Sequence, residues 1–296
     1  MVRLCKNIEV GATLDARDLR ALLQAVTQIA VSAGRAILEV YERPTIDVVL
    51  KADRSPLTEA DRRAHDRIVS GLSELSDLPV LSEEQAPVPF SVRRAWQAYW
   101  LVDPLDGTRE FLARNGEFTV NIALIERHAP VLGVVHAPAV SLLYAGAPGA
   151  VLASGTPASL AAPVVPAYRS QGGKPPEPIC VRKPGPVPPR SLASRSHRDA
   201  ATSAYLERLG AAAPICIGSS LKFCRLAEGG ADVYPRLSPT SEWDTAAGHA
   251  VLLAAGGDVL TTDGTPLRYN TRDGLINPSF IAFGDATGDW LAPLRT

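Results

Sequence analysis

Apolar residues recur every three or four positions at Leu19, Leu22, Val26, Ile29, Ala33, Ile37 and Val40. That period predicts a long amphipathic helix, ending near Glu42-Arg43-Pro44. A second helix is predicted from Thr58 to about Leu75, opened by Thr58-Glu59-Ala60-Asp61 as a capping box, so Thr58 and Asp61 take structural roles. Leu78-Pro79-Val80-Leu81 and Tyr99-Trp100-Leu101-Val102 read as buried strands, and residues 118–126, 131–136 and 141–145 as a strand meander packed on those helices. Residues 155–190 hold ten prolines, too many for an internal strand or helix, and predict a loop or inserted linker. Beyond it come helices near Ser203–Leu209 and from Ser219 to about Glu228, then a strand around Asp232–Leu237. A last helix runs from Asp244 to Ala255, closed by Gly256-Gly257. The class is α/β with antiparallel features (α+β), without repeats or heptads. Three stretches are expected: residues 1–154 as one α/β half, 155–190 as the proline-rich insertion, and 191–296 as the second half.

Composition narrows the function classes. At 296 residues and 46% hydrophobic, the chain can bury a large core. A formal charge of −1 gives no bulk attraction for a nucleic acid polymer, so any anion site must be local. Cys5, Cys180, Cys216 and Cys224 form no C-x-x-C pair, which argues against zinc and suits a reducing compartment, with the cysteines as packing residues. No uninterrupted apolar stretch approaches the ~18 residues of a spanning helix, and no signal-peptide core is evident. A cytoplasmic protein without a membrane span is expected.

The chemistry-bearing residues gather at element ends. Asp103-Pro104-Leu105-Asp106-Gly107-Thr108 sets two carboxylates three apart behind a strand, where Pro104 and Gly107 make the chain turn. Ser82-Glu83-Glu84 ends another strand, and Asp244 stands where a small-residue helix begins. Carboxylate oxygens suit magnesium, which makes phosphate-ester hydrolysis the leading reaction class. Bland readings stand beside these: a strand-terminating turn for Asp103, solvated carboxylates for Glu83 and Glu84, a helix cap for Asp244, and a turn residue for Asp53.

Taken together, Ser82-Glu83-Glu84, Asp103 to Thr108 and Trp243-Asp244-Thr245-Ala246-Ala247-Gly248 resemble three signatures of the inositol monophosphatase-like, magnesium-dependent, lithium-sensitive phosphatases. Lys51 to Thr58, Asn115 to Leu124, Ser194-Arg195-Ser196-His197 and Gly218 to Phe223 are similar to the bacterial 3'(2'),5'-bisphosphate nucleotidase branch. The resemblance implies a layered α-β-α-β-α sandwich of the inositol monophosphatase and fructose-1,6-bisphosphatase type. It implies two or three Mg2+ ions held by Glu83, Asp103, the Leu105 carbonyl, Asp106 and Asp244. It pairs the Thr108 hydroxyl with Asp53 to position and deprotonate the attacking water, assisted by Glu83. Gly107, Thr108, His197, Ser219, Lys222, Arg236 and Asp244 would meet the substrate, the cationic ones holding the 5'-phosphate that is not cleaved.

The expected reaction is removal of the 3'-phosphate from adenosine 3',5'-bisphosphate, with 3'-phosphoadenylyl sulfate as a second candidate. The partner would be this small nucleotide, with a homodimer left open. A sugar-phosphate enzyme of the same superfamily, acting on inositol phosphate or fructose bisphosphate, is the alternative, and a metal-dependent nucleotide sensor without turnover is the less favoured one. Read alone, Lys222 is equally an exposed helical lysine and Arg236 a charge closing a strand. The 155–190 stretch departs from the family pattern and reads as an inert surface excursion.

Overall fold

The structure, a computed structural model, describes residues 16–50, 56–149, 162–183, 188–196 and 199–295. Its elements follow the alternation of buried side chains. Helix α1 (Ala16–Tyr41) is followed by the short antiparallel strands β1 (Val48–Leu50) and β2 (Pro56–Thr58), and by helix α2 (Glu59–Leu75). The expected capping box is present: Thr58 Oγ1 accepts from Ala60 N at 3.1 Å, and the Asp61 carboxylate accepts from Thr58 N at 2.7 Å. By length and composition Arg17–Tyr41 is apolar enough to cross a membrane, although charged residues interrupt the run. In the fold it is a core helix, with Leu19, Leu22, Val26, Ala30, Ala33, Ile37 and Val40 buried in one cluster.

Strand β3 (Val80–Ser82) runs parallel to β4 (Ala98–Asp106), joined through a one-turn helix α3 (Phe90–Arg93). After the short helix α4 (Thr108–Leu112), strands β5 (Thr119–Glu126), β6 (Ala129–Ala137) and β7 (Leu142–Ala147) continue as the expected antiparallel meander. Within the described part of the proline-rich stretch, residues 162–183 and 188–190, the predicted loop is interrupted by strand. The stretch supplies β8 (Val165–Gln171), paired to β7, and the two-residue β9 (Glu177–Pro178), completing a seven-stranded sheet in the order β3-β4-β5-β6-β7-β8-β9. The prolines are tolerated by position: Pro166 falls at the register shift between the Ala145 and Ala147 pairings, where a missing N–H breaks no ladder bond. Nor is it an inert excursion, since Arg169 on β8 donates to Glu228 at 3.0 Å, across to the second half of the chain.

The second half holds β10 (Leu192–Ser194), α5 (Ala200–Arg208), β11 (Ile215–Ile217), α6 (Leu221–Ala227), β12 (Val233–Arg236), α7 (Ala246–Ala254), β13 (Asp258–Thr261) and β14 (Phe280–Phe283). Strands β12, β14 and β13 form an antiparallel sheet, and β10 pairs with β11 in parallel.

The period-2 alternation of β4 and β5 sorts the layers. Trp100, Val102, Ile122 and Leu124 face α1 and α2, while Tyr99, Leu101, Ala123 and Ile125 join α6 and α7 on the other face. Tyr234 and Phe280 cover the far side of those helices, and Val233 and Ile281 pack outward on Tyr205 of α5. The order is therefore α-β-α-β-α, as the resemblance implied. Helix α7 lies so close to β6 that a side chain at Gly133 would put its Cβ 2.3 Å from the Ala247 carbonyl. Of the expected packing cysteines, Cys224 is buried, Cys216 is partly exposed, Cys180 is exposed, and Cys5 lies outside the described residues.

Candidate metal centre and active site

Two carboxylates three apart on a regular strand point to opposite faces. Strand β4 solves this with a bulge: Asp103 pairs with Asn121 but Asp106 with Thr119, so three steps along β4 match two along β5. The strand continues to Asp106 rather than ending in the predicted turn, because the extra residue at Pro104-Leu105 absorbs the mismatch. Leu105 N closes the bulge onto Asp103 Oδ1 at 3.0 Å. The turn comes one residue later, at Gly107 with φ 88°, a left-handed conformation that glycine adopts without strain.

Asp103, Asp106 and Asp244 offer oxygens within 4.8 Å of one another. Glu83, at the end of β3, lines the same cleft of about 290 Å³, together with Leu105, Gly107, Thr108, Ser219, Lys222 and Arg236. Asp244 is not a helix cap. Its Oδ2 accepts from Thr240 Oγ1 at 2.6 Å and Ser241 N at 2.9 Å, while Thr245 holds the cap position of α7 without a side-chain bond to the helix's free N–H groups. Its neighbour Glu242 is buried away from the cluster, both oxygens accepting from Asn270 N at 3.0 and 2.9 Å.

The electrostatics are those of crowded carboxylates. Burial pushes Asp103 well above the usual carboxylate range, and Glu83, Asp106 and Asp244 add repulsion. Burial also raises Asp106, against the Lys222 charge and hydrogen bonds from Ser220 and Asn121. Asp244 is pushed up to about 6, first by burial and then by Asp106. An all-oxygen donor set with unbalanced negative charge fits hard divalent cations.

The predicted anion-binding residues are shared between cleft and scaffold. Lys222 is 5% exposed, which removes the surface-lysine reading. Its ammonium folds back onto the Ile217 carbonyl at 3.3 Å and the Ser219 carbonyl. Desolvation lowers it to about 8. Arg236, 8% exposed at the end of β12, donates Nε to Ser238 O at 3.2 Å and Nη2 to Pro239 O at 2.8 Å. Ser219 adopts φ 48° just ahead of α6, which is only seven residues long. Thr108 Oγ1 is 3.4 Å from the Leu105 carbonyl. Asp53 and His197 lie outside the described residues, so the Thr108 and Asp53 pairing does too.

Residues not singled out from the sequence complete the arrangement. Asn121 and Ser220 touch Asp106 directly, and Thr240 holds Asp244. Asn121 and Ser220 sit inside the quoted motifs, but a polar residue on a strand or at a helix start carries no signal of its partner.

A profile described as "Inositol monophosphatase family" matches residues 18–287. The chain is similar to the 3'(2'),5'-bisphosphate nucleotidase CysQ of Escherichia coli K12, 49% identical over 265 residues, covering 88% of this chain and 98% of that protein. The enzyme of that name from Buchnera aphidicola is 41% identical, covering 89% and 94%. The crystal structure of CysQ from Bacteroides thetaiotaomicron, a bacterial member of the inositol monophosphatase family, superimposes with a TM-score of 0.73 at 41% identity, covering 89% of this chain and 97% of that one. The inositol monophosphatase of Anabaena (Nostoc) sp. PCC 7120, at 23% identity and TM-score 0.70, shares the fold.

Proposed function

We propose, since this chain belongs to the inositol monophosphatase family, that it is a 3'(2'),5'-bisphosphate nucleotidase removing the 3'-phosphate of adenosine 3',5'-bisphosphate to give AMP and phosphate with Mg2+. The observation that carries the reading is the meeting of Asp103, Asp106 and Asp244 within 4.8 Å in a cleft also lined by Lys222 and Arg236. A monoester needs the carboxylates alone; a bisphosphate also needs cations placed for its second phosphate.

Glu83, Asp103, Asp106, Asp244 and the Leu105 carbonyl would hold the ions. When bound, divalent cations lower the pKa of water and offset charge on the transferring phosphoryl group. Thr108, one residue past Gly107 and lining the cleft, would orient the attacking water and receive its proton while handing its own hydrogen bond to Asp53. Lys222 and Arg236 fix the 5'-phosphate, each keeping donors beyond those bonded to backbone carbonyls. Gly107 and Ser219 shape the wall against the nucleotide, and His197 contacts it. The carboxylates come mainly from the 1–154 half and the cations from the 191–296 half, which supports two halves meeting over the substrate.

A cytoplasmic setting is part of the proposal, supported by Cys180, Cys216 and Cys224 being free thiols. The test is phosphate release from adenosine 3',5'-bisphosphate, 3'-phosphoadenylyl sulfate, inositol monophosphate and fructose 1,6-bisphosphate, with and without Mg2+. Turnover of the first is expected. Good turnover of inositol monophosphate with none of the bisphosphate would overturn the reading.

A further inference from the structure

Asp106 and Asp244 come from opposite halves of the chain, yet one hydroxyl reaches both. Ser220 Oγ, just ahead of α6, lies 2.9 Å from Asp106 Oδ2 and 2.5 Å from the Asp244 backbone carbonyl. Asn121 Nδ2, on β5, donates to Ser220 Oγ at 2.8 Å and to Asp106 Oδ2 at 3.3 Å. Ser220 is 2% exposed and Asn121 fully buried, so these bonds are shielded from bulk solvent.

A hydrogen count shows what this arrangement does. Ser220 supplies one O–H and the Asn121 amide two N–H hydrogens. There are three acceptors: Asp106 Oδ2, the Asp244 carbonyl and Ser220 Oγ itself. One assignment satisfies all three: amide to Ser220 Oγ, amide to Asp106 Oδ2, and hydroxyl to the Asp244 carbonyl. These side chains engage Asp106 through a single oxygen. The Asp244 carboxylate is held separately by Thr240 and Ser241, so Ser220 acts on that residue only through its backbone.

We infer that Ser220 and Asn121 are positioning residues that lock the spacing between Asp106 and Asp244, and so set the affinity of the site for divalent cations. The inference rests on the proposed metal centre. Without the hydroxyl, the Asp244 carbonyl loses its donor and its link to Asn121, while Asp106 keeps Asn121 Nδ2 and the Ser220 backbone, so the end of β4 and the turn ahead of α7 can drift apart. Outer-shell partners of this kind typically contribute ~10–100-fold to metal affinity.

The test is calorimetric titration of Mg2+ and Mn2+ into the full chain, wild type beside Ser220→Ala and Ser220→Thr, with thermal unfolding in EDTA. Ser220→Ala is expected to bind roughly 10–100-fold more weakly, with its EDTA melting point within a few degrees of wild type, and Ser220→Thr to recover most of the affinity. Excess metal should restore turnover to Ser220→Ala, which a purely structural lesion would not allow. If the alanine variant folds poorly, Ser220→Cys, similar in size and a weak donor, carries the same expectation. Metal affinity equal to wild type in the alanine or cysteine variant overturns this inference and leaves the proposed function standing. Wild-type protein that binds no divalent cation removes both.

Discussion

Arg195 grips Glu117 with two parallel hydrogen bonds, Nε to Oε2 and Nη2 to Oε1, each 2.7 Å long. The same carboxylate accepts the backbone N–H of Gly218 at 2.7 Å. The corner leading to Ser219 and Lys222 is thus anchored to the segment just before β5. Glu117→Ala is expected to raise KM for the bisphosphate severalfold while changing kcat little, because it loosens the anion-binding corner and leaves the carboxylates in place. Steady-state kinetics on that variant checks it.

Removing either buried cation should discriminate between substrates. Lys222→Ala or Arg236→Ala is expected to raise KM for adenosine 3',5'-bisphosphate roughly ten- to a hundredfold, the worth of one charge-assisted hydrogen bond. A monoester without the second phosphate should be affected far less. Parallel KM measurements on the two substrates decide the point.

The acidic cluster predicts opposite effects on stability and turnover. Asp103 is held above its unfolded pKa, so the native state resists its ionisation, and a penalty grows as pH rises past the usual carboxylate range. Asp103→Asn removes that penalty. At pH 8 in EDTA the variant should melt above wild type, lose the stabilisation given by Mg2+, and lose turnover by more than the ~10²-fold of an outer-shell change. Thermal unfolding with and without Mg2+, paired with an activity assay, tests all three.

His249 supplies a pH dependence of folding. Its Nδ1 lies 3.0 Å from the Tyr269 hydroxyl, and burial, reinforced by Arg268, holds the ring neutral down to about 3. An unfolded histidine takes its proton near 6.5, so this contribution is full above 6.5 and is lost as pH falls toward 3, at about 1.4 kcal/mol per pH unit. Urea unfolding of wild type and His249→Gln should show their stability gap narrowing between pH 6.5 and 5. A gap independent of pH would contradict it.

The capping box gives a simpler measure. Thr58→Ala removes the acceptor for Ala60 N and is expected to destabilise by about 1 kcal/mol. Chemical denaturation reads the change directly.

Much of this was visible in the sequence because local chemistry and tertiary role agreed. The helical period from Leu19 to Val40, the box at Thr58 and the meander after residue 118 are each specified within a few residues of chain. The acidic element ends were legible too, since Asp103, Asp106 and Asp244 are polar exceptions in apolar surroundings. What stayed hidden depends on pairing partners. Asp103 and Asp106 share a face only because β5 lacks a matching residue, and β8 forms inside a proline-rich stretch because β7 offers it an edge. Asp244 looked like a helix cap because the Thr240 and Ser241 groups that hold it precede the helix. Ser220 and Asn121 differ from ordinary buried polar residues only in what they touch.

The seven-stranded sheet stops at a three-residue strand on one side and a two-residue strand containing Pro178 on the other. Such stubs give an approaching chain almost no free ladder to zip onto. The sheet is self-terminating, so the cleft built on its β3, β4 and β5 ends owes nothing to strand exchange along this sheet with a neighbouring copy.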